Sequence, residues 1–208
     1  MSPRALEWVW RMDLVKRRPS VSLLLLTFCL AVGMAWPSYG EIKSSQQTPS
    51  EYEMKAIYLF NFLRFASWPE TIFDKPQSPL VIGIYGKDPF GSLLDNIICK
   101  KNIRKHPVEI KRMKYLKDIK SCHLLFISSS ERKRLSLILK KVEKSCILTV
   151  SDIENFREQG GMIGFIVKKD KLRFEINYDA VNKSEIKLSS KLLSLAENKK
   201  KIKNGKKF

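Results

Sequence analysis

Two hydrophobic periods alternate along the chain from about residue 51 to residue 197. Met54, Ile57, Tyr58, Phe62 and Phe65 recur at helical spacing, and Leu59, Phe60 and Leu63 widen the stripe so that little solvated face remains. Ser50-Glu51-Tyr52-Glu53 ahead of them is a capping box, in which the serine hydroxyl serves the backbone N–H of Glu53. Trp68-Pro69 closes the segment, because the residue before a proline avoids the α region.

Runs of strand length then alternate with helical patterns. Leu80 to Tyr85 reads as a buried strand, and Gly86-Lys87-Asp88-Pro89 as a turn into a helix with Asp88 as N-cap and Pro89 at the first helical position. Val108 to Met113 alternates as a half-buried strand. Leu124 to Ile127 is a short apolar strand, followed by Ser128, Ser129 and Ser130, which start a basic amphipathic helix through about Lys144. Ile147 to Val150 repeats the strand pattern, and Ser151 and Asp152 offer the N-cap of a short helix ending at Gly160-Gly161. Met162 to Val167 and Lys171 to Ile176 form an antiparallel hairpin about Lys168-Lys169-Asp170, and a last amphipathic helix covers Ile186 to Ala196. Strands separated by helical crossovers predict an α/β domain: a mainly parallel sheet flanked by helices on both faces, with one antiparallel edge hairpin.

Outside that domain the pattern changes. Arg4, Arg11, Lys16, Arg17 and Arg18 precede the apolar run Val21 to Val32. That run is too short for ~30 Å of hydrocarbon, which takes about 20 helical residues, and fits the core of a secretory signal. Small residues follow, so cleavage after Ala35 or Gly40 is allowed, and Gly40 is favoured. Residues 1–40 are thus read as a signal peptide and 41–50 as a polar linker. The chain is expected in the periplasm. Residues 198–208 hold six lysines in eleven positions and read as a solvated tail.

Charge narrows the partners. The 208 residues carry 39 Lys+Arg against 21 Asp+Glu, +18 formally, and 34 against 19 of these lie beyond residue 40. The excess therefore belongs to the mature protein. With 44% apolar residues, 9 Gly and 9 Pro, the composition excludes a disordered or fibrous chain, and no multi-pass membrane protein looks like this. Basic density peaks between Lys100 and Lys120, where Tyr115 is the only aromatic, so stacking for nucleic acid is lacking. An acidic protein surface or anionic lipid is the expected partner.

Catalytic chemistry is sparse. His106 and His123 fall at strand starts, opposite the C-terminal sheet edge where ligands gather in open α/β folds. No spacing suits zinc, and Gly86 to Gly91 lacks the glycine pattern of a phosphate loop. No catalytic residue, metal or cofactor is expected. The candidate ligand or partner positions are Gly86 and Asp88 in one loop, and Ser151 and Asp152 in another.

Export leaves Cys99, Cys122 and Cys146 where disulfides persist, an odd number that leaves one thiol over. Cys122 and Cys146 both stand just ahead of a strand. In the common doubly wound order these strands are neighbours about 4.8 Å apart, within disulfide reach. A Cys122–Cys146 bridge is one reading, a bridge from Cys99 a second, and three free thiols a third.

Four stretches resemble the YfiR family of periplasmic proteins: Tyr52-x-x-Lys55-Ala56 with Asn61-Phe62, Phe65 and Trp68-Pro69; Cys122 to Ile127 leading to Ser130-Glu131; Leu148 to Asp152 with Phe156 and Gly160-Gly161-Met162-Ile163; and Arg173 to Asn177 before Ser189-Ser190 and Leu192-Leu193. The resemblance covers about residues 51 to 197. It implies an exported, non-catalytic regulator with a Rossmann-like sheet, able to form a homodimer. It further implies repression of an inner-membrane diguanylate cyclase through that enzyme's periplasmic domain, lowering cyclic-di-GMP and biofilm formation, with an outer-membrane lipoprotein and cysteine redox state as controls. A sensor kinase is the other membrane partner it suggests. Cys122 matches the family's cysteine before the third strand, but Leu80 to Tyr85 and Phe156 to Phe165 offer none to meet it, so the family's redox scheme does not carry over intact. The alternative reading is a periplasmic small-ligand or anion binder using the Gly86 and Ser151 loops.

Overall fold

The computed structural model describes residues 50–198. The expected signal peptide, linker and lysine tail lie outside these residues, apart from Ser50 and Asn198. Helix α1, Glu51–Phe65, begins where the capping box places it: the Ser50 hydroxyl accepts from Glu53 N at 3.2 Å. It stops at Phe65, three residues before Trp68. Ala66–Ser67 (β1) leaves the helix to pair antiparallel with Lys187–Leu188 (β9), and Ser189 N donates to the Phe65 carbonyl at 2.9 Å, satisfying an oxygen the helix leaves open.

The main sheet has seven strands among the described residues. Leu80–Tyr85 (β2) lies in its interior, third from one edge. Asn102–Ile103 (β3), His106–Met113 (β4), Leu124–Ile127 (β5), Leu148–Ser151 (β6), Ile163–Lys168 (β7) and Lys171–Ile176 (β8) complete the order β3-β4-β2-β5-β6-β7-β8. Strands β4, β2, β5, β6 and β7 are parallel, with Leu80 opposite Val108, Ile82 opposite Leu124, Leu124 opposite Leu148 and Val150 opposite Ile163. This is the flavodoxin-like order, whose topological switch lies between the first and third parallel strands, here β2 and β5.

Both edges are antiparallel, not one: β7 pairs with β8 as expected, and β3 pairs with β4 through a tight turn in which Arg104 and Lys105 take positive φ. The turn between β7 and β8 likewise puts Lys169 and Asp170 at positive φ, as two-residue hairpin loops require. The free edge of β8 is covered. Glu197 N donates to Phe174 O, and the Asn198 amide both accepts from Ile176 N and donates to Ile176 O, standing in for a short strand.

Strict alternation splits the core in two. Leu80, Ile82, Ile84, Leu124, Phe126, Leu148 and Val150 face α1, Ser92–Ile98 (α2) and Ser190–Leu195 (α5). On this side Phe62 is fully buried, 4.9 Å from the Phe174 ring and 5.7 Å from that of Phe165. Val81, Tyr85, Leu125 and Ile127 face Leu135–Val142 (α3) and Ile119, which lies on a 3-10 turn, Leu116–Ser121. Burying one such large side chain contributes about 1.5 to 3 kcal/mol, so these two layers hold the sheet edges, and hence the loops, in place.

Several expected elements take another form. Helix α2 starts at Ser92 rather than beside Asp88, and its N-cap is Gly91 at φ 51°, ψ −133°. Asp88 caps nothing, because its Oδ1 accepts from Phe90 N at 2.7 Å while its Oδ2 is held by Arg112. The helix expected between Asp152 and Gly160 is a run of turns. The segment after Ser128 begins as a 3-10 turn, Ser129–Arg134, before α3. The helix expected over Ile186 to Ala196 divides into β9 and α5, where Ser189 accepts from Leu192 N. A short helix, Tyr178–Asn182 (α4), capped by Asn177, precedes them.

Candidate functional site

The C-terminal ends of β2 and β5 meet at the switch point, where folds of this order receive ligands. Here Tyr52, Lys87, Asp88, Pro89 and Ser128 to Ser130 line an open cleft of about 430 Å³, with Gly86 packed closely at its side. Gly86 has φ +94°, and a Cβ on it would lie 2.6 Å from Ser130 Oγ and 2.7 Å from Glu131 Cγ, so glycine is required. Ser130 Oγ also accepts from Lys87 N at 2.9 Å. Beside it, Arg112 reaches from β4 to Asp88 Oδ2 at 2.7 Å and to Asp95 Oδ2 at 2.6 Å, fixing the Gly86–Asp88 loop to α2. The Arg112 hydrogen bond holds the Asp95 carboxyl below its usual range.

The second candidate loop is built differently. Ser151 is fully buried; its hydroxyl donates to Ile127 O at 2.6 Å and accepts from Ile153 N at 3.0 Å, so both of its functions are engaged in joining β6 to β5. Asp152 turns its carboxylate toward α1, where Lys55 Nζ lies 2.7 Å from Oδ2. Lys55 is buried, reaches Glu51 at 2.6 Å one turn back, and sits 4.4 Å from the centre of the Tyr52 ring. Desolvation alone would lower the Lys55 pKa, but the Asp152 and Glu51 carboxylates outweigh it and hold the ammonium above the ordinary 10.5. The other oxygen, Asp152 Oδ1, is buried with no hydrogen-bond partner. Gly86 and Asp88 therefore form one cluster and Ser151 and Asp152 another.

Lys55 received no role of its own from spacing. Its signal was a cation on the apolar face of α1, four residues after Glu51 and four before the buried Leu59. A lysine in that stripe requires an acid above it.

The N-terminal edge carries both histidines in structural roles. His123 Nδ1 accepts from Val81 N at 3.0 Å, which fixes the neutral tautomer, and His106 Nδ1 donates to Ser78 O at 2.7 Å. Phe73 stacks on both rings, at 4.3 Å from His106 and 5.2 Å from His123. Burial, then the positive charges of His106 and Lys111, lower the His123 pKa to about 4. The unfolded chain thus binds the proton first. Stability should fall as pH drops from about 6.5 toward 4, and His123→Asn, which keeps an acceptor, should flatten that slope in urea midpoints measured across the window.

Cys99, Cys122 and Cys146 are free thiols in this structure. Cys122 and Cys146 stand two residues ahead of the paired Leu124 and Leu148, as the sheet order implied. Their sulfurs diverge, which is why no bridge joins them. Cys122 Sγ packs with Val81 and Met113 and donates to Ile119 O at 3.2 Å, whereas Cys146 Sγ points to Glu185 at 3.9 Å, next to Ile186 in the opposite core layer. Gly83 makes room for Cys122, since a Cβ there would lie 2.9 Å from its sulfur. Burial pushes the Cys122 thiol up to about 12. Iodoacetamide at neutral pH should therefore label exposed Cys99 first and Cys122 only after denaturation; peptide mass spectrometry showing early Cys122 labelling would contradict this packing.

Among the described residues no group of three His, Cys, Asp or Glu side chains could hold a metal ion, and no helix is long and apolar enough to cross a membrane. The fold and its loops define a doubly wound α/β domain in which Ser130 and Glu131 pack against Gly86 beside the switch point. The chain belongs to the YfiR/HmsC-like family, whose model matches residues 52–197. This is a family of periplasmic regulators of membrane signalling. No curated protein matches the chain.

Proposed function

We propose that this protein is a non-catalytic regulator, exported by the signal in residues 1–40 with cleavage near Gly40, that binds the periplasmic domain of an inner-membrane signalling protein and represses it. The target is of the diguanylate cyclase type, so the output is lower cyclic-di-GMP and less biofilm; a sensor kinase is the second target class. A homodimer is the working form, and an outer-membrane lipoprotein is the releasing partner. The observation that carries the reading is the family match across the whole described domain. The Ser151 loop supports it against an anion binder, because the buried Ser151 hydroxyl already gives its one proton to Ile127 O and has none to offer an anion. In vivo crosslinking of the exported chain should yield a discrete adduct with an inner-membrane protein that carries a periplasmic domain and a cytoplasmic cyclase or kinase domain. Adducts confined to soluble periplasmic enzymes would overturn the reading.

A further inference from the structure

We propose that the face formed by α3 and the turn Leu116–Ser121 docks on an anionic lipid bilayer, with Leu137 and Tyr115 entering the headgroup layer. The two helical layers of the domain differ in charge. On one side of the sheet α1, α2, α4 and α5 carry Glu51, Glu53, Asp95 and Asp179 against Lys55, Arg64 and Lys191, so they nearly balance. The opposite layer does not. Its turn Leu116–Ser121 brings Lys117 and Lys120 against Asp118, its turn Ser129–Arg134 three consecutive cations against Glu131, and α3 adds Lys140 and Lys141 with no acid. Seven cations thus stand against two carboxylates. Solubility calls for charge but not for this sidedness, which turns one face of the molecule toward negative surfaces.

Most of these cations are uncommitted. Arg134 is held by Glu131, and Arg132 lies 3.6 Å from Glu154. Lys117, Lys120, Lys133, Lys140 and Lys141 are exposed and have no carboxylate partner among the described residues. Apolar side chains stand among them. Leu135, Ile138 and Val142 of α3 are buried, so the face turned away from the core carries Leu137, 54% exposed, with Lys133 and Lys141 one turn to either side. Tyr115, just ahead of the neighbouring turn, is 64% exposed, and Lys117 Nζ lies 5.5 Å from its ring centre. That turn packs beside α3 through Ile119 and Leu135, which share one core layer. Lysines flanking an exposed leucine, opposite a buried stripe, suit a helix that lies in a membrane interface. The type of cation selects lipid over an acidic protein: the ammonium is a point charge that matches mobile phosphates, whereas the planar guanidinium matches fixed carboxylates, and here both arginines are already engaged within the domain. A periplasmic protein has the outer leaflet of the inner membrane within reach.

The test is co-sedimentation of the full exported chain with vesicles of phosphatidylcholine alone or of phosphatidylcholine with phosphatidylglycerol, and polyglutamate serves as the soluble acidic competitor. Saturable binding is expected only with phosphatidylglycerol present. Residues 198–208, with six lysines, are a rival source of attraction, so two reversals of equal charge are compared in the full chain. Lys117→Glu with Lys140→Glu should weaken binding on the order of thirtyfold. Lys187→Glu with Lys191→Glu, on the opposite layer, should change it by less than about threefold, since a Debye length of ~8 Å screens charges on the far side. All four lysines are exposed, so the melting temperature should hold in both variants. Leu137→Ser should weaken vesicle binding about fivefold and leave polyglutamate binding unchanged. Absence of binding to phosphatidylglycerol vesicles, or equal losses from the two reversed pairs, overturns the proposal. So does a silent Leu137→Ser with polyglutamate bound more tightly than vesicles, which would assign the face to an acidic protein. The inference goes beyond repression of a protein partner, and the vesicles contain no protein, so failure of that reading would leave this result standing.

Discussion

Replacing Lys55 with methionine is expected to lower the stability of the domain by about 3 to 5 kcal/mol, the range for removing one partner of a buried ion pair. The Lys55 side chain is 4% exposed and that of Asp152 10%, so the remaining carboxylate has little water to turn to. Asp152→Asn added to Lys55→Met removes the stranded charge, and the double variant should recover a large part of the loss in urea denaturation. Simple additivity of the two single losses would mean that the pair is not coupled. The sign with pH follows from the raised Lys55 pKa. The folded state keeps its proton longer than the unfolded one, so this contribution is fully present below about 10.5 and lost as pH rises through the higher folded value.

That ion pair also marks where reading the sequence stopped. The strands were legible because Leu80 to Tyr85, Leu124 to Ile127 and Leu148 to Val150 are buried on both faces and read as unbroken apolar runs. Ser50 and Ser189 acted as local caps, decided by neighbours three residues away. Asp88 and Asp152 look the same as those caps in sequence. Their carboxylates were claimed from afar, by Arg112 at 24 residues' separation and Lys55 at 97, and no local pattern carries that information. The two-residue strands β1 and β9 are too short to show a period. The sequence left the cysteine pairing open for a geometric reason: the strands lie side by side, but alternation breaks at His123, whose ring turns to bond Val81 N, and Cys122 falls into the other core layer.

Gly161→Ala is expected to destabilise the domain by about 3 kcal/mol, at the upper end for overpacking. A Cβ at this position would lie 2.1 to 2.3 Å from three carbons of the Phe156 ring. Phe156 cannot swing aside, being 1% exposed and packed with Ile153 and Leu135 in the second core layer. Gly161 cannot retreat either, since its N–H donates to Phe156 O at 2.9 Å. The ring that forbids the methyl also lines the cleft beside Asp152, so the same variant should loosen the turns that carry Asp152. Adding Phe156→Leu should make the two changes non-additive, with a coupling of about 0.5 to 3 kcal/mol. Thermal or urea unfolding at wild-type values for Gly161→Ala would contradict the close approach.

The regulatory account is tested most directly by cellular cyclic-di-GMP. Deleting the gene should raise the nucleotide level and biofilm mass, and the full chain supplied in trans should restore both, while a chain lacking residues 1–40, confined to the cytoplasm, should not. An unchanged cyclic-di-GMP level on deletion, or full restoration by the chain without its first forty residues, would contradict repression of a cyclase from the periplasm.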